Sequence, residues 1–155
     1  MPGWRNADAW PRPLVWLAQG LGMVWALPVS VLGLAVGALA LTAGAQVYVS
    51  RRAHALVFSR VPWGPGGALT LGNVILDTGE CLTRLCHTYA HAAGHTQDPP
   101  IVLADHERAH VYQTMLLGPL MPVLYWLSGG VSVHNPFEQA ADRYALSGRG
   151  WWPWA

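Results

Sequence analysis

The chain has 155 residues and a formal charge of +1; 52% of its residues are hydrophobic and 11% charged, against roughly 25% charged in soluble domains. That length allows one domain plus a membrane-associated segment, and the absence of lysine or any basic stripe argues against nucleic-acid binding. Cys81 and Cys86 are the only cysteines, and their spacing indicates neither a disulfide nor a Cys-x-x-Cys zinc site.

Residues 1–13 are rich in Trp, Arg and Pro, a composition suited to an interface. Residues 14–49 carry no charge, and Pro28 divides them. From residue 29 to 49 the run would make about 31 Å of helix, matching a hydrocarbon core. Residues 28–49 are therefore expected to form a transmembrane helix, preceded by an interfacial or partly inserted helix over 14–27. Gly33 and Gly37 form Gly-x-x-x-Gly on that span, which is either ordinary glycine use or a weak homodimer contact. Arg51, Arg52 and Arg60 follow the span, against Arg5 and Arg12 with Asp8 before it. The positive-inside bias then points to a cytoplasmic C-terminal part.

Residues 46–50 and 54–60 are β-rich and separated by Arg51-Arg52-Ala53, as in a short hairpin. Residues 61–67 read as a loop, and 68–76 as a strand broken by Gly72. Over residues 79–95, His87, His91 and His95 recur at four-residue steps with Cys86 adjacent. That is either a second metal site or a polar helix face ended by Gly94.

Residues 98–117 read as one helix, with Asp98 as N-cap, Pro99-Pro100 in the first turn and Gly118-Pro119 as the stop. It contains His106-Glu107-Arg108-Ala109-His110. Two histidines four apart project from one helix face and can reach one metal. Glu107, turned about 100° from His106, flanks that metal where a general base belongs. A solvated helix carrying two histidines is the plain alternative.

Residues 118–130 are strongly apolar, but about 20 Å of helix is too short for the roughly 30 Å of a span. A crossing would also put His110 and Glu138 on opposite sides, so a re-entrant or core-packed helix is expected. Asn135 caps a last helix, with Pro136 first and Ser147-Gly148 at its end. Glu138, third in that helix, could simply complete a capping box. Asp142, four residues on, has no use in a cap and favours a metal role. The Trp151-Trp152-Pro153-Trp154 tail suits an interfacial aromatic anchor.

With these residues in place, the chain resembles the gluzincin class of zinc metallopeptidases, whose His-Glu-x-x-His is followed by a helix carrying Glu-x-x-x-Asp. The wider string, with Gln113 and Asn135-Pro-Phe-Glu138, is also similar to a group of small bacterial membrane proteins of unassigned function. The resemblance implies zinc (Zn2+) held by His106, His110 and Glu138, with Glu107 as catalytic base and Asp142 hydrogen-bonded to His106. It also makes the strand over 68–76 the candidate aligner of a substrate backbone, though a plain core strand reads the same way. His134, Tyr144 and Arg143, near the third ligand in sequence, are the candidates for stabilising an oxyanion.

The expected fold is α+β, mainly α: residues 1–50 as interfacial segment and transmembrane anchor, and 51–155 as a minimal zincin-like domain with short strands. The expected protein is a bacterial inner-membrane metallopeptidase with its metal site facing the cytoplasm. Its partners would be membrane lipid and a peptide or membrane-protein substrate. The rival is a non-catalytic membrane adaptor with a structural zinc, which would have no need of Glu107 as a base.

Overall fold

A computed structural model describes residues 10–64 and 66–154. Residues 1–9, part of the expected interfacial segment, lie outside it. The apolar N-terminal run divides into α1 (Arg12–Trp25) and α2 (Leu27–Thr42), bent by 65° at the junction. The break falls at Ala26, whose N–H still bonds the Gly22 carbonyl at 2.9 Å. Pro28 sits in the first turn of α2, where its missing N–H costs nothing. At its other end α2 closes in a tight turn: Ala45 N–H returns to the Ala40 carbonyl at 3.0 Å, and Gly44 takes φ +94°.

Beyond that turn the β-branched and aromatic Val47-Tyr48-Val49 enter a strand, β1 (Gln46–Ser50). The transmembrane helix expected over 28–49 is thus corrected. The run is part helix and part strand, and among the described residues no single helix is long and apolar enough to cross a membrane. The architecture is α+β, and only the bent pair of α1 and α2 taken together has the length and composition of a span.

β1 pairs antiparallel with β2 (Ala55–Ser59) through the Arg51–His54 turn. Residues 68–76, expected as one broken strand, fold as a hairpin of β3 (Ala68–Leu71) and β4 (Val74–Asp77). Gly72 makes the turn at φ +64°, a conformation glycine adopts freely. β4 lies parallel to β2, giving the order β1-β2-β4-β3.

Alternation along the central strands builds two cores, one on each face. Phe58, Val74 and Leu76 pack with Ala40 of α2. Val57 and Ile75 pack with Leu82 and Val111 on the opposite face. Gly33 lies against Val74 and Leu71, and Gly37 against the Phe58 ring, where a Cβ would fall 2.4 Å from that ring. The small-residue face of α2 is therefore covered by the chain's own sheet, and pairing through it with a second copy would require the sheet to move away.

Residues 79–95 do not form a helix carrying a histidine row. They contain β5 (Leu85–Cys86) and a single turn, α3 (Tyr89–Ala92), capped by Thr88. β5 pairs with β6 (Ile101–Val102), which moves the start of the next helix. Asp98 and the two prolines precede that strand, and α4 runs Leu103–Leu117. The short α5 (Leu120–Leu127) and α6 (Pro136–Ser147) complete the chain. α6 has the predicted Asn135 cap, whose side chain accepts the Phe137 N–H at 2.9 Å, and Gly148 follows it in the left-handed conformation. α4 is buried on most sides, by the sheet, by α1 and by α6.

Candidate metal centre

α4 and α6 bring His106, His110 and Glu138 together. Each offers one ligand atom within 4.8 Å of the others, and all three residues are buried. His106 Nε2 lies 3.2 Å from His110 Nε2 and 3.0 Å from Glu138 Oε2, while His110 Nε2 lies 3.5 Å from Glu138 Oε1. The edge of a coordination polyhedron built from bonds near 2.0–2.1 Å is about 3.0–3.4 Å. The three separations, 3.0–3.5 Å, stand close to that edge, so the group could hold a metal ion.

The outer ring nitrogens give an independent reason. His106 Nδ1 sits 2.9 Å from Asp142 Oδ1, and His110 Nδ1 sits 2.8 Å from Gln113 Oε1. The Gln113 amide nitrogen donates to the Phe137 and Trp151 carbonyls at 3.1 and 2.9 Å, which fixes its oxygen towards His110. Both Nδ1 atoms therefore face acceptors and carry the hydrogens. Both Nε2 atoms are left as lone pairs aimed at one point beside a carboxylate. Two lone pairs converging in that way need a cation between them, and histidine ligands are held in this manner at metal sites.

Without a metal, a proton would take that place. Burial alone would lower the His106 pKa, but the Asp142 and Glu138 carboxylates outweigh it and push it up to about 10. For Glu138 burial works upward and is overcome by His106 and His110, which hold its carboxyl well below the usual range. Its carboxylate is not a helix cap, because the Asn135 N–H is taken by the Ser132 carbonyl at 3.0 Å. The capping-box alternative therefore does not describe Glu138.

Glu107 is buried one residue along from His106 and is not among the converging donors. The Thr70 hydroxyl on β3 donates to its Oε2 at 2.6 Å. Two tyrosines that sequence reasoning did not single out also stand at the site. The Tyr125 hydroxyl of α5 donates to Glu138 Oε1, and Tyr89 packs its ring 6.1 Å from that of His106. Burial, then the Glu138 charge, raises the pKa of both hydroxyls, keeping them protonated as donors.

Other expected residues lie elsewhere. Tyr144 belongs to an aromatic cluster with Tyr112 and Trp151, where burial first and Tyr112 second push its pKa up to about 12. His134 is exposed on the loop before α6, its ring 6.2 Å from that of His95. Arg143 donates to the Trp152 carbonyl at 3.3 Å and lines a cleft of about 240 Å³ with Tyr89, Asp98, Gln139 and Asp142. His87 and His91 stack at 4.0 Å, and His91 Nδ1 bonds the Asp98 carbonyl at 2.8 Å. Among the described residues His106, His110 and Glu138 are the one group of three or more such donors placed to share a metal.

Tyr125 and Gln113 differed in how legible they were. Gln113 stands three residues after His110, on the same helical face, which is a readable signal. Tyr125 lies in a short apolar helix, and nothing local marks it. No family model, curated protein or solved structure matches the chain.

Proposed function

We propose that the chain is a zinc-dependent hydrolase of peptide bonds, with His106, His110 and Glu138 as ligands and Glu107 as general base. The observation that carries this is the pairing of a converged His/His/Glu donor set with a fourth buried group, the Glu107 carboxylate, that does no ligating and is held by a hydroxyl. When bound there, zinc supplies the Lewis acidity that makes water a nucleophile near neutral pH. Glu107 takes up the proton from that water and delivers it to the leaving amine. Thr70 holds Glu107 in place through its hydroxyl. Tyr125 holds Glu138 through its hydroxyl, and Tyr89, kept protonated beside His106, is the candidate donor to a developing oxyanion. β3 pairs only with β4 in its sheet, so its outer edge can align an extended peptide.

Two His and one carboxylate also suit iron(II). Elemental analysis of the purified protein is expected to give one zinc per chain, lost in His106→Ala and His110→Ala. Iron in its place would overturn the zinc assignment.

Glu107→Gln tests the chemistry. It nearly preserves shape, and the amide can still accept from Thr70, so metal content and fold are expected to persist. Hydrolysis should fall by about 10²–10⁴-fold, because an amide cannot take up a proton. The readout is the set of new protein N-termini in cells carrying wild type or variant. The rival reading, a structural metal in a non-catalytic adaptor, draws on the burial of all three ligands. It predicts identical N-termini in the two strains.

A further inference from the structure

The N-terminal helices expose more apolar surface than water tolerates on a monomer. Twelve large apolar side chains of α1 and α2 are exposed, among them Trp16 at 68% and Leu39 at 63%. At on the order of 80–100 Å² each they total roughly 1,000 Å², against about 300–600 Å² for the largest patch of an ordinary monomer. α5 adds Trp126 and Leu127, exposed at 77% and 76%. The two surfaces meet: Trp25, at the end of α1, lies against Gly118, two residues before α5 begins. No Asp, Glu, Lys or Arg occurs in residues 13–50 or 109–137, the two stretches that build this surface.

We propose that this surface is seated in one leaflet of a lipid bilayer, with α1, the outer stripe of α2 and α5 immersed and no helix crossing. Lipid fits better than a protein partner because the surface carries no charge. Its main polar groups are the indole N–H groups of Trp16, Trp25 and Trp126, which suit the headgroup boundary. A protein interface carries about one hydrogen bond per 100–200 Å². Here the Thr42 hydroxyl is turned back onto the Leu39 carbonyl at 2.7 Å, and the Ser30 hydroxyl faces the sheet, where it accepts the Asn73 N–H at 2.9 Å. The backbone at the α1–α2 bend and at the end of α2 is likewise bonded internally, as a hydrocarbon environment demands.

α2 lies along the bilayer, not across it. At 16 residues it is about 24 Å long, short of the roughly 30 Å core. Its inner side is also covered by the sheet, so a crossing would drag the polar strand ends in with it. Those ends carry the Arg52–Asp105 pair at 2.8 Å and the Arg60–Glu80 pair. This inference does not depend on the hydrolase reading, and its test does not use activity.

The test is flotation of the zinc-loaded full chain with preformed vesicles of equal parts phosphatidylcholine and phosphatidylglycerol. The wild type is expected to float, and to do so equally in high salt, since the contact is apolar and not ionic. Leu17→Asp with Leu21→Asp, Leu32→Asp with Leu39→Asp, and Val123→Asp with Trp126→Asp change exposed positions. Each pair is expected to cut the floating fraction at least tenfold while keeping the metal. Wild type that stays in the dense fraction as an oligomer, which the same substitutions split into monomers, would show a protein interface and overturn the proposal. So would wild type that stays there as a monomer. A second measurement addresses crossing. Arg12→Cys and Arg51→Cys, each with Cys81→Ala and Cys86→Ala, should both react with an impermeant maleimide added outside the vesicles. Protection of one of them from outside, with labelling when the maleimide is sealed inside the vesicles, would mean that the chain crosses.

Discussion

At the residue scale the centre depends on groups that never touch a metal. Asp142 accepts from His106 Nδ1 at 2.9 Å through one oxygen and from the Tyr89 N–H at 3.1 Å through the other. An amide cannot accept at both ends, so Asp142→Asn frees one of these donors. Gln113→Leu removes the partner of His110 and also strands the carbonyls of Phe137 and Trp151. Each substitution is expected to weaken zinc binding by about 10–100-fold, read by competition with a chromogenic chelator.

The same residues set a pH dependence with a definite sign. The raised pKa of His106 stabilises the metal-free fold fully below about 6.5, its unfolded value. That contribution is lost as pH rises towards about 10. The depressed pKa of Glu138 adds stability that is present above the usual carboxylate range and lost only in acid. The chelated protein should therefore unfold at falling temperature from pH 6.5 to 10. Over the same window metal binding, which competes with protons, strengthens. Thermal unfolding with and without chelator should show the gap between the two forms widening with pH. A constant gap would mean that no proton occupies the ligand cluster.

At the level of elements, what was legible depended on whether the determinants were local. α6 could be read at both ends because Asn135, Pro136 and Gly148 act within a few residues of themselves. The β1–β2 hairpin was similarly readable, from β-rich runs around Arg51-Arg52-Ala53. The start of α4 was not. Pro99 and Pro100 suit a first helical turn, but Ile101 and Val102 pair with Cys86 and Leu85, a contact that no helix signal announces. The apolar run to Val49 misled for a related reason. Its hydropathy suits a membrane helix, while the turn at Ala43–Ala45 and the pairing of β1 with β2 decide otherwise.

One junction between elements can be tested directly. Gly118 ends α4 at φ +57°, ψ −133°, and a Cβ there would fall 2.4 Å from the Trp25 indole. Gly118→Ala combines backbone strain of about 1–3 kcal/mol with displacement of Trp25. Its unfolding free energy should drop by at least that amount, measured by denaturant titration in detergent. Gly66→Ala, where a Cβ meets nothing within 4 Å at a similarly positive φ, separates the strain from the packing. Equal losses in the two variants would show that Trp25 contributes nothing there.

Across the whole molecule the His106, His110 and Glu138 cluster is the tie between two parts that fold by different means. The sheet with α2 and one face of α4 has apolar cores on both sides and contributes none of the three donors except through α4. α6 and the tryptophan tail have less: a small cluster of Ala109, Ala141 and Tyr144 with Tyr112 and Trp151, Phe137 against Trp154, and the Gln113 hydrogen bonds. Added to these are His106, His110 and Glu138, three buried ionisable groups facing one another, which is costly unless a cation or proton neutralises them. A metal held across α4 and α6 would remove that cost and close the 27-residue connection from His110 to Glu138. Chelation should therefore act regionally. Hydrogen exchange near pH 8 is expected to speed up over residues 120–147 and 151–154, while amides of 55–59 and 74–77 keep their protection. Uniform loss of protection would mean that the sheet has no independent stability. Unchanged exchange in α6 would mean that the aromatic cluster alone holds it, leaving the metal no structural part to play.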